Sequence, residues 1–159
     1  MKKEADEDKK IVATHRKARQ FYEILETYEA GLSLLGSEVK ALRSGHASLD
    51  GCYGRVDGEE VFLFNFYIPP YQFNTAVAPP DPRRSRKLLL ARREIDKIAG
   101  KLQLKGLTLI PMEVYFRRGW AKVLLGLGKG KKTHDRRADM TKRTIEREAE
   151  KSFKGKFRA

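Results

Sequence analysis

The sequence predicts a mainly β protein: a small closed antiparallel barrel with two or three helices, followed by a basic C-terminal tail. Three observations predict it. Two pairs of strand-like runs are each joined by a short turn signal, Asp57-Gly58 in the first and Arg117-Arg118-Gly119 in the second. One amphipathic helical pattern lies between the pairs. The supply of apolar residues stops after Gly128. With 159 residues, 40% apolar and 35% charged, the chain suits one domain with appendages.

Residues 1–10 hold four lysines against four acids and read as a disordered lead. The body then spans 11–128 and the tail 129–159. FYEILETYEAGLSLL (21–35) is rich in aromatic and β-branched residues, at a length that suits one long strand. In GSEVKALRSG, Ser37 is a good N-cap and Gly45 a good stop. The helix between them buries Val39 and Leu42 and presents Lys40 and Arg43 together on another face. CYGRVDGEEVFLFNFYI reads as a hairpin around Asp57-Gly58, a dipeptide suited to a tight I′ turn. In its second strand Phe62, Phe64, Phe66 and Ile68 share one side while Val61, Leu63 and Tyr67 share the other, so both faces should be nearly buried.

Residues 69–82 hold five of the six prolines and form a loop. From about Arg83 the period changes. Leu88, Ala91, Ile95, Ile98 and Leu102 follow helical spacing, with Arg92, Glu94, Lys97 and Lys101 elsewhere on the wheel. LTLIPMEVYF and WAKVLLGLG make the second hairpin, in which Ala121, Val123, Leu125 and Leu127 share a face and Pro111 marks a bulge or an edge. Residues 129–159 carry twelve Lys/Arg and five Asp/Glu. Their thin apolar stripe (Ala138, Ile145, Ala149, Phe153) is too small to offset the cost of ordering the backbone, so the tail should be disordered alone and helical when bound. Five or so antiparallel strands with two helices match a small closed or nearly closed β-barrel, of which the oligonucleotide-binding fold is one type.

Charge narrows the partners. The chain has 34 Lys+Arg against 21 Asp+Glu, a formal +13. Such a field draws polyanions, and nucleic acid is favoured over a membrane. Cys52 is the only cysteine, which forbids an intrachain disulfide and suits a reducing, cytoplasmic setting. No run approaches a membrane span, and MKKEADEDKK lacks the apolar stretch of a secretion signal.

GLGKGKKTHDRR (126–137) tests the catalytic alternatives. Its glycines miss both the G-x-x-x-x-G-K-[ST] and the G-x-G-x-x-G spacing. The alternation of Gly126, Gly128 and Gly130 instead suits a strand end closely approached by another backbone. His134-Asp135 sits in a flexible tail, where no preorganised acid–base pair can be held. Stacking by the imidazole, with neighbouring cations on phosphates, fits better. His15, His46 and His134 are too far apart in sequence for a metal site, Glu59-Glu60 is a solvated turn pair, and no nucleophile elbow occurs. No cofactor, metal or catalytic residue is therefore expected. Cation clusters recur at Arg16-Lys17-Arg19, Lys40/Arg43, Arg83-Arg84-Arg86-Lys87, Arg92-Arg93, Arg117-Arg118 and Lys129-Lys131-Lys132, as phosphate binding requires. Tyr22, Tyr28, Phe73 and Trp120 could stack bases, with core packing as the default for each.

YEAGLSLLGSEVKALRSGHASLDGCYGRV, DPRRSRKLLLARREIDKIAGKL and KVLLGLGKGKKTHDRR, in that order, closely resemble the SsrA-binding protein family from about Ile11 to Arg147. The resemblance implies an oligonucleotide-binding barrel that partners transfer-messenger RNA and rescues stalled ribosomes by trans-translation. It implies that Glu29 lies near the surface holding the tRNA-like domain of that RNA, with Lys40 and Arg43 toward RNA. His15, Arg16, Lys17 and Arg19, and also Arg83, Arg86 and Lys87 in and before RKLLL, are further candidates, the leucines of RKLLL being credited with packing first. In the tail, Lys129, Lys131, Lys132, His134, Asp135, Arg136 and Arg137 would meet small-subunit ribosomal RNA in the decoding region. Two positions depart from the family pattern: His15 stands where Asn is usual, and VAPP stands where Asn or His commonly precedes DP. The alternative from charge and barrel alone is a ribosomal or ribosome-assembly protein that binds ribosomal RNA directly; an RNA-cleaving or RNA-modifying enzyme is a third class.

Overall fold

The computed structural model describes residues 8–73, 79–104, 106–131 and 133–156, for 133–136, 139 and 153–156 in backbone alone. In chain order the elements are β1 (Lys9–Thr14), α1 (Ala18–Phe21), β2 (Tyr22–Leu32), α2 (Gly36–Arg43), β3 (Tyr53–Asp57), β4 (Glu60–Phe64), β5 (Arg86–Leu89), α3 (Arg92–Leu102), β6 (Leu107–Arg117), β7 (Trp120–Gly130) and α4 (Thr133–Lys156). The strands lie in the order β1-β6-β3-β4-β5-β2-β7, and β7 pairs back onto β6. Six strands thus close a ring, and β1 is added outside it along β6. Every pairing is antiparallel.

Closure depends on close approach. β3 meets β6 at Gly54 opposite Leu109. A Cβ on Gly54 would stand 2.7 Å from Leu109 Cδ2, so any larger residue there would force the two strands apart. The interior holds Val61, Leu63, Phe66, Leu88, Ile98, Leu109, Val114, Val123 and Leu125. Val123, Leu125 and Leu127 are buried on the face that the alternation in β7 predicts, with Ala121 half-buried.

Pro111 does mark a bulge: the β6–β7 register shifts between Pro111 and Glu113. Gly128 lies under a neighbouring backbone, where an added Cβ would be 3.0 Å from Glu23 O. The β6–β7 turn is Arg118-Gly119, with φ of 51° and 81°, as a I′ turn requires. In the first hairpin Asp57 pairs with Glu60. Its turn is therefore Gly58-Glu59, one residue later than expected, and positive φ falls on Gly58.

Four expectations need correction. Lys9 and Lys10 belong to β1, whose residues Lys9–Thr14 pair with β6; the rest of the expected lead, residues 1–7, lies outside the described residues. The helix expected from Arg83 begins only at Arg92, because Arg86–Leu89 alternate buried and exposed as a strand. Side-chain alternation in β4 stops at Phe64, since Asn65 adopts a φ of 62°. That reversal puts Phe66 and Ile68 in the interior with Val61 and Leu63, rather than beside Phe62 and Phe64. Finally, α2 begins at Gly36 with Leu35 as N-cap; the Leu35 N–H donates to Glu38 Oε1 at 2.9 Å, and Ser37 makes no cap.

β7 runs to Gly130, so Lys129 and Gly130 of the expected tail belong to the body, and Thr133–Lys156 form α4. Among the described residues no helix is long and apolar enough to cross a membrane.

Candidate RNA interface

Strand register fixes two ends of the barrel. Tyr22 pairs with Gly130 at one end of the β2–β7 ladder, and Gly31 pairs with Lys122 at the other. Eleven residues per strand separate these ends by roughly 30 Å.

The first end is the root of the tail. The chain leaves β1 at Thr14, turns through Arg16 and Lys17 and enters the single-turn α1, which exposes Arg19. Lys131 closes onto this turn: its N–H donates to Phe21 O at 2.8 Å and its Nζ to Arg19 O at 3.0 Å. Lys129 is exposed beside it. His15 is anchored to the Pro111 bulge. Its backbone N–H donates to Met112 O at 2.8 Å, and its Nδ1 lies 3.3 Å from Pro111 O. The ring borders a cleft of about 540 Å³ that Phe21, Tyr22, Tyr53, Ile110 and Lys131 also line. Arg16, Lys17, Arg19, Lys129 and Lys131 thus form one basic rim, although Arg16 and Lys131 are 115 positions apart in the chain.

The second end carries α2 and the start of β7. Lys40 and Arg43 diverge, each cation resting near a different ring: Lys40 Nζ is 5.6 Å from the Tyr71 centroid and Arg43 Cζ 5.3 Å from that of Phe116. Both remain exposed to solvent. Glu29 is not a free carboxylate. Its Oε2 accepts from Arg117 Nη1 at 2.6 Å and from the Tyr115 hydroxyl. Burial of Tyr115, reinforced by that bond to Glu29, pushes the phenol above its usual range. Arg118 and Trp120, at the β6–β7 turn, stand out in solvent, Trp120 at 74% exposure.

Between the ends, the RKLLL region proves structural in part. Arg86 is 1% exposed. Its Nε donates to Glu38 Oε2 at 2.7 Å, its Nη2 to Pro82 O at 3.1 Å, and its Nη1 to Arg84 O at 3.2 Å and to Phe66 O. Arg86 is therefore withdrawn as an RNA ligand: every donor direction is used inside the protein. Arg84 joins the same carboxylate through Nε, at 3.2 and 3.1 Å, and Nη2. Burial alone would raise the Glu38 carboxyl, but Arg84, the Leu35 N–H and Arg86 together hold it below the ordinary range. Arg83 stays at the surface with Cζ 5.2 Å from the Tyr67 centroid. Lys87 is also at the surface, 2.8 Å from Glu60 Oε1.

In the tail, Lys132 lies outside the described residues. His134, Asp135 and Arg136 occupy the first turns of α4, and Arg137 is exposed. The tail helix touches the body where Gln20 Nε2 lies 3.1 Å from Met140 Sδ. Sequence reasoning misses Gln20, whose only signal is its place in the basic turn. It also assigns Phe73 to packing, yet that ring is 74% exposed.

The SmpB protein family model matches residues 12–155. The SsrA-binding protein of Elusimicrobium minutum (strain Pei191) is 51% identical over 148 residues, covering 93% of this chain and 94% of the relative. That of Mycobacterium leprae (strain Br4923) is 53% identical over 140 residues, covering 88% and 87%. A solved structure described as "tmRNA-SmpB: a journey to the center of the bacterial ribosome" superposes with a TM-score of 0.63 at 52% identity, over 76% of this chain and 84% of that one. A six-stranded ring with a cationic rim at either end, matched over this length, places the chain in the SmpB family of SsrA-binding proteins.

Proposed function

We propose that this chain is a non-catalytic RNA-binding adaptor that binds transfer-messenger RNA and brings it to stalled ribosomes for trans-translation. The observation that carries the reading is the separation of its cations onto two barrel ends roughly 30 Å apart, with the tail rooted at one of them. One protein can then hold two RNAs at once. Lys40, Arg43 and Glu29 face the tRNA-like domain, where recognition is by shape, phosphate and 2′-OH. His15, Arg16, Lys17 and Arg19 share their end with Lys129 and Lys131, so they face whatever RNA the tail enters. That RNA is the small-subunit decoding region, with α4 along the vacated mRNA channel.

Affinity purification of the chain from cells, with sequencing of the bound RNA, tests the reading. Transfer-messenger RNA should dominate. Recovery of ribosomal RNA alone would assign the chain as a ribosomal component, and turnover of the RNA would make it an enzyme.

Glu29 supplies a finer test. Its carboxylate holds the Arg117 guanidinium in place and keeps Oε1 for a ribose hydroxyl. Glu29→Gln is expected to lower the preference for transfer-messenger RNA over random RNA by about ten-fold, the size of one charge-assisted hydrogen bond. Binding of random RNA should not fall, because the variant is more cationic. Equal losses for both RNAs would remove Glu29 from recognition.

The tail is proposed to fold on its target. Residues 141–152 of α4 are exposed throughout, with Ile145 at 60% and Met140 at 50% exposure. Over residues 141–152 the helix has no packed face, and tertiary packing is what supplies most helical stability in a protein. A peptide of residues 133–156 should show little helix by circular dichroism in dilute buffer and gain it with RNA; a stable helix in buffer would rule out conditional folding.

A further inference from the structure

Near the start of the proline segment, Tyr71-Gln72-Phe73 lies beside the C-terminal half of α2. Phe73 is 74% exposed, and Tyr71 is half-buried. Their centroids are 5.6 Å apart and their planes cross at 68°, so the rings make a corner rather than a stack. Pro70, Ser44, His46 and Gln72 complete a cleft of about 330 Å³. That is near the lower limit for small-molecule sites, about 300 Å³, and suits a single flat ring. Among the described residues no carboxylate lines it. Lys40 stands at its lip, 5.6 Å from the Tyr71 centroid, and Arg43 lies one turn further along the same helix.

We propose that this corner is a base-binding subsite, in which one unstacked base of the RNA held by α2 lies against the Phe73 ring while its phosphate meets Lys40. The inference rests on the adaptor reading above and adds a residue class to it, since a contact made by phosphate ligands alone carries no base. Unpaired RNA loops offer bases that stack on aromatic side chains. Gln72, Ser44 and His46 set donors and acceptors around the corner for the base edge. The Ser44 hydroxyl donates to Lys40 O at 3.4 Å, which leaves its lone pairs for an incoming amino group. Charge decides between occupants. A cation-rimmed corner with no carboxylate among its described lining favours a polyanion, and the two rings around a cleft of this size fit a single flat base of that polyanion.

The test uses the full chain and a transcript of the tRNA-like domain of transfer-messenger RNA. Phe73→Ala should keep the melting temperature of the parent protein, because the ring is exposed. It should weaken binding roughly ten- to hundred-fold, the usual loss for one stacked base, and Phe73→Tyr should restore it. The slope of log affinity against log salt should not change in Phe73→Ala but should drop by about one in Lys40→Ala. An abasic scan of the unpaired nucleotides should find one position whose loss matches that of Phe73→Ala and adds nothing to it. Parental affinity in Phe73→Ala, or strict additivity at every abasic position, would overturn the subsite. So would a Phe73→Ala protein that keeps affinity for this transcript and loses only ribosome association, since the corner would then serve the ribosome. If the parent chain itself does not prefer this transcript to a scrambled one, the adaptor reading fails and the subsite fails with it. If the parent does prefer it, a negative result for Phe73→Ala removes the subsite alone.

Discussion

A chain ending at Lys131 is expected to bind transfer-messenger RNA within a few-fold of the full chain and to have no rescue activity. The cut removes ten Lys/Arg and five Asp/Glu, leaving the remainder at +8, so long-range attraction for RNA survives. It spares Lys131, whose N–H and Nζ hold the turn of α1 through Phe21 O and Arg19 O. On the body side it strips Gln20 of its Met140 neighbour. No residue at the α2 end belongs to the removed segment, so the site proposed for the tRNA-like domain stays intact. Fluorescence anisotropy with labelled RNA measures the first half of the prediction; tagging of a stalled nascent chain in a reconstituted translation system measures the second. A large loss of RNA affinity would merge the two sites into one, and rescue at the parental rate would deny the tail any role in the ribosome.

What the sequence reveals of this fold follows from how each element is held. β2, β7 and α3 are legible because each keeps one period over many residues, and β6 because its apolar run is tied to β7 by the Arg118-Gly119 turn. β7 alternates from Ala121 to Leu127, and Ile95, Ile98 and Leu102 keep helical spacing. β1 and β5 are not. β1 sits outside the ring with Ile11 51% exposed, so it lacks a two-residue pattern strong enough to see. In β5 four residues, RKLL, run directly into a helical pattern, and Leu88 satisfies both periods. Asn65 inverts the reading of β4 through a single positive φ, a conformation Asn tolerates better than most residues but does not announce.

The candidate site divides in the same way. Charge and resemblance identify the exposed cations. Pairing identifies which of them are committed to the fold, and pairing is a tertiary fact. Arg86 and Glu38 are 48 positions apart, and their neighbours in the sequence give no sign of a buried partner. The exposed rings Phe73 and Trp120 read as packing residues in the sequence because aromatic residues usually go inside. Only the absence of covering atoms shows otherwise.

Arg86→Met is expected to be the most destabilising single change in the body, by about 3–5 kcal/mol, the usual cost of breaking a buried ion pair from one side. At about 4 °C per kcal/mol for a domain of this size, the melting temperature should fall by roughly 10–20 °C. The side chain has no solvent to fall back on: Glu38 would keep Arg84 but lose its inner partner, and Phe66 O and Pro82 O would lose donors. Acid should reveal the same linkage. The folded state holds the Glu38 carboxyl below its ordinary value of 4.5, so its contribution is complete above that value and disappears as the pH falls through the folded one. With Arg86 gone the carboxyl titrates higher, and acid unfolding should begin at a higher pH than in the parent. Adding Glu38→Gln to Arg86→Met should cost less than the two separate losses summed, because each single change strands the other charge. The consequence reaches function through α2. Glu38 caps this helix at Leu35 N–H and ties it to the proline segment, so its release should shift Lys40, Arg43 and the Tyr71 corner together and weaken RNA binding even well below the melting temperature. Parental stability in Arg86→Met would mean that apolar packing of Ala41 and Leu42 positions α2 unaided, and RNA affinity should then be unchanged as well.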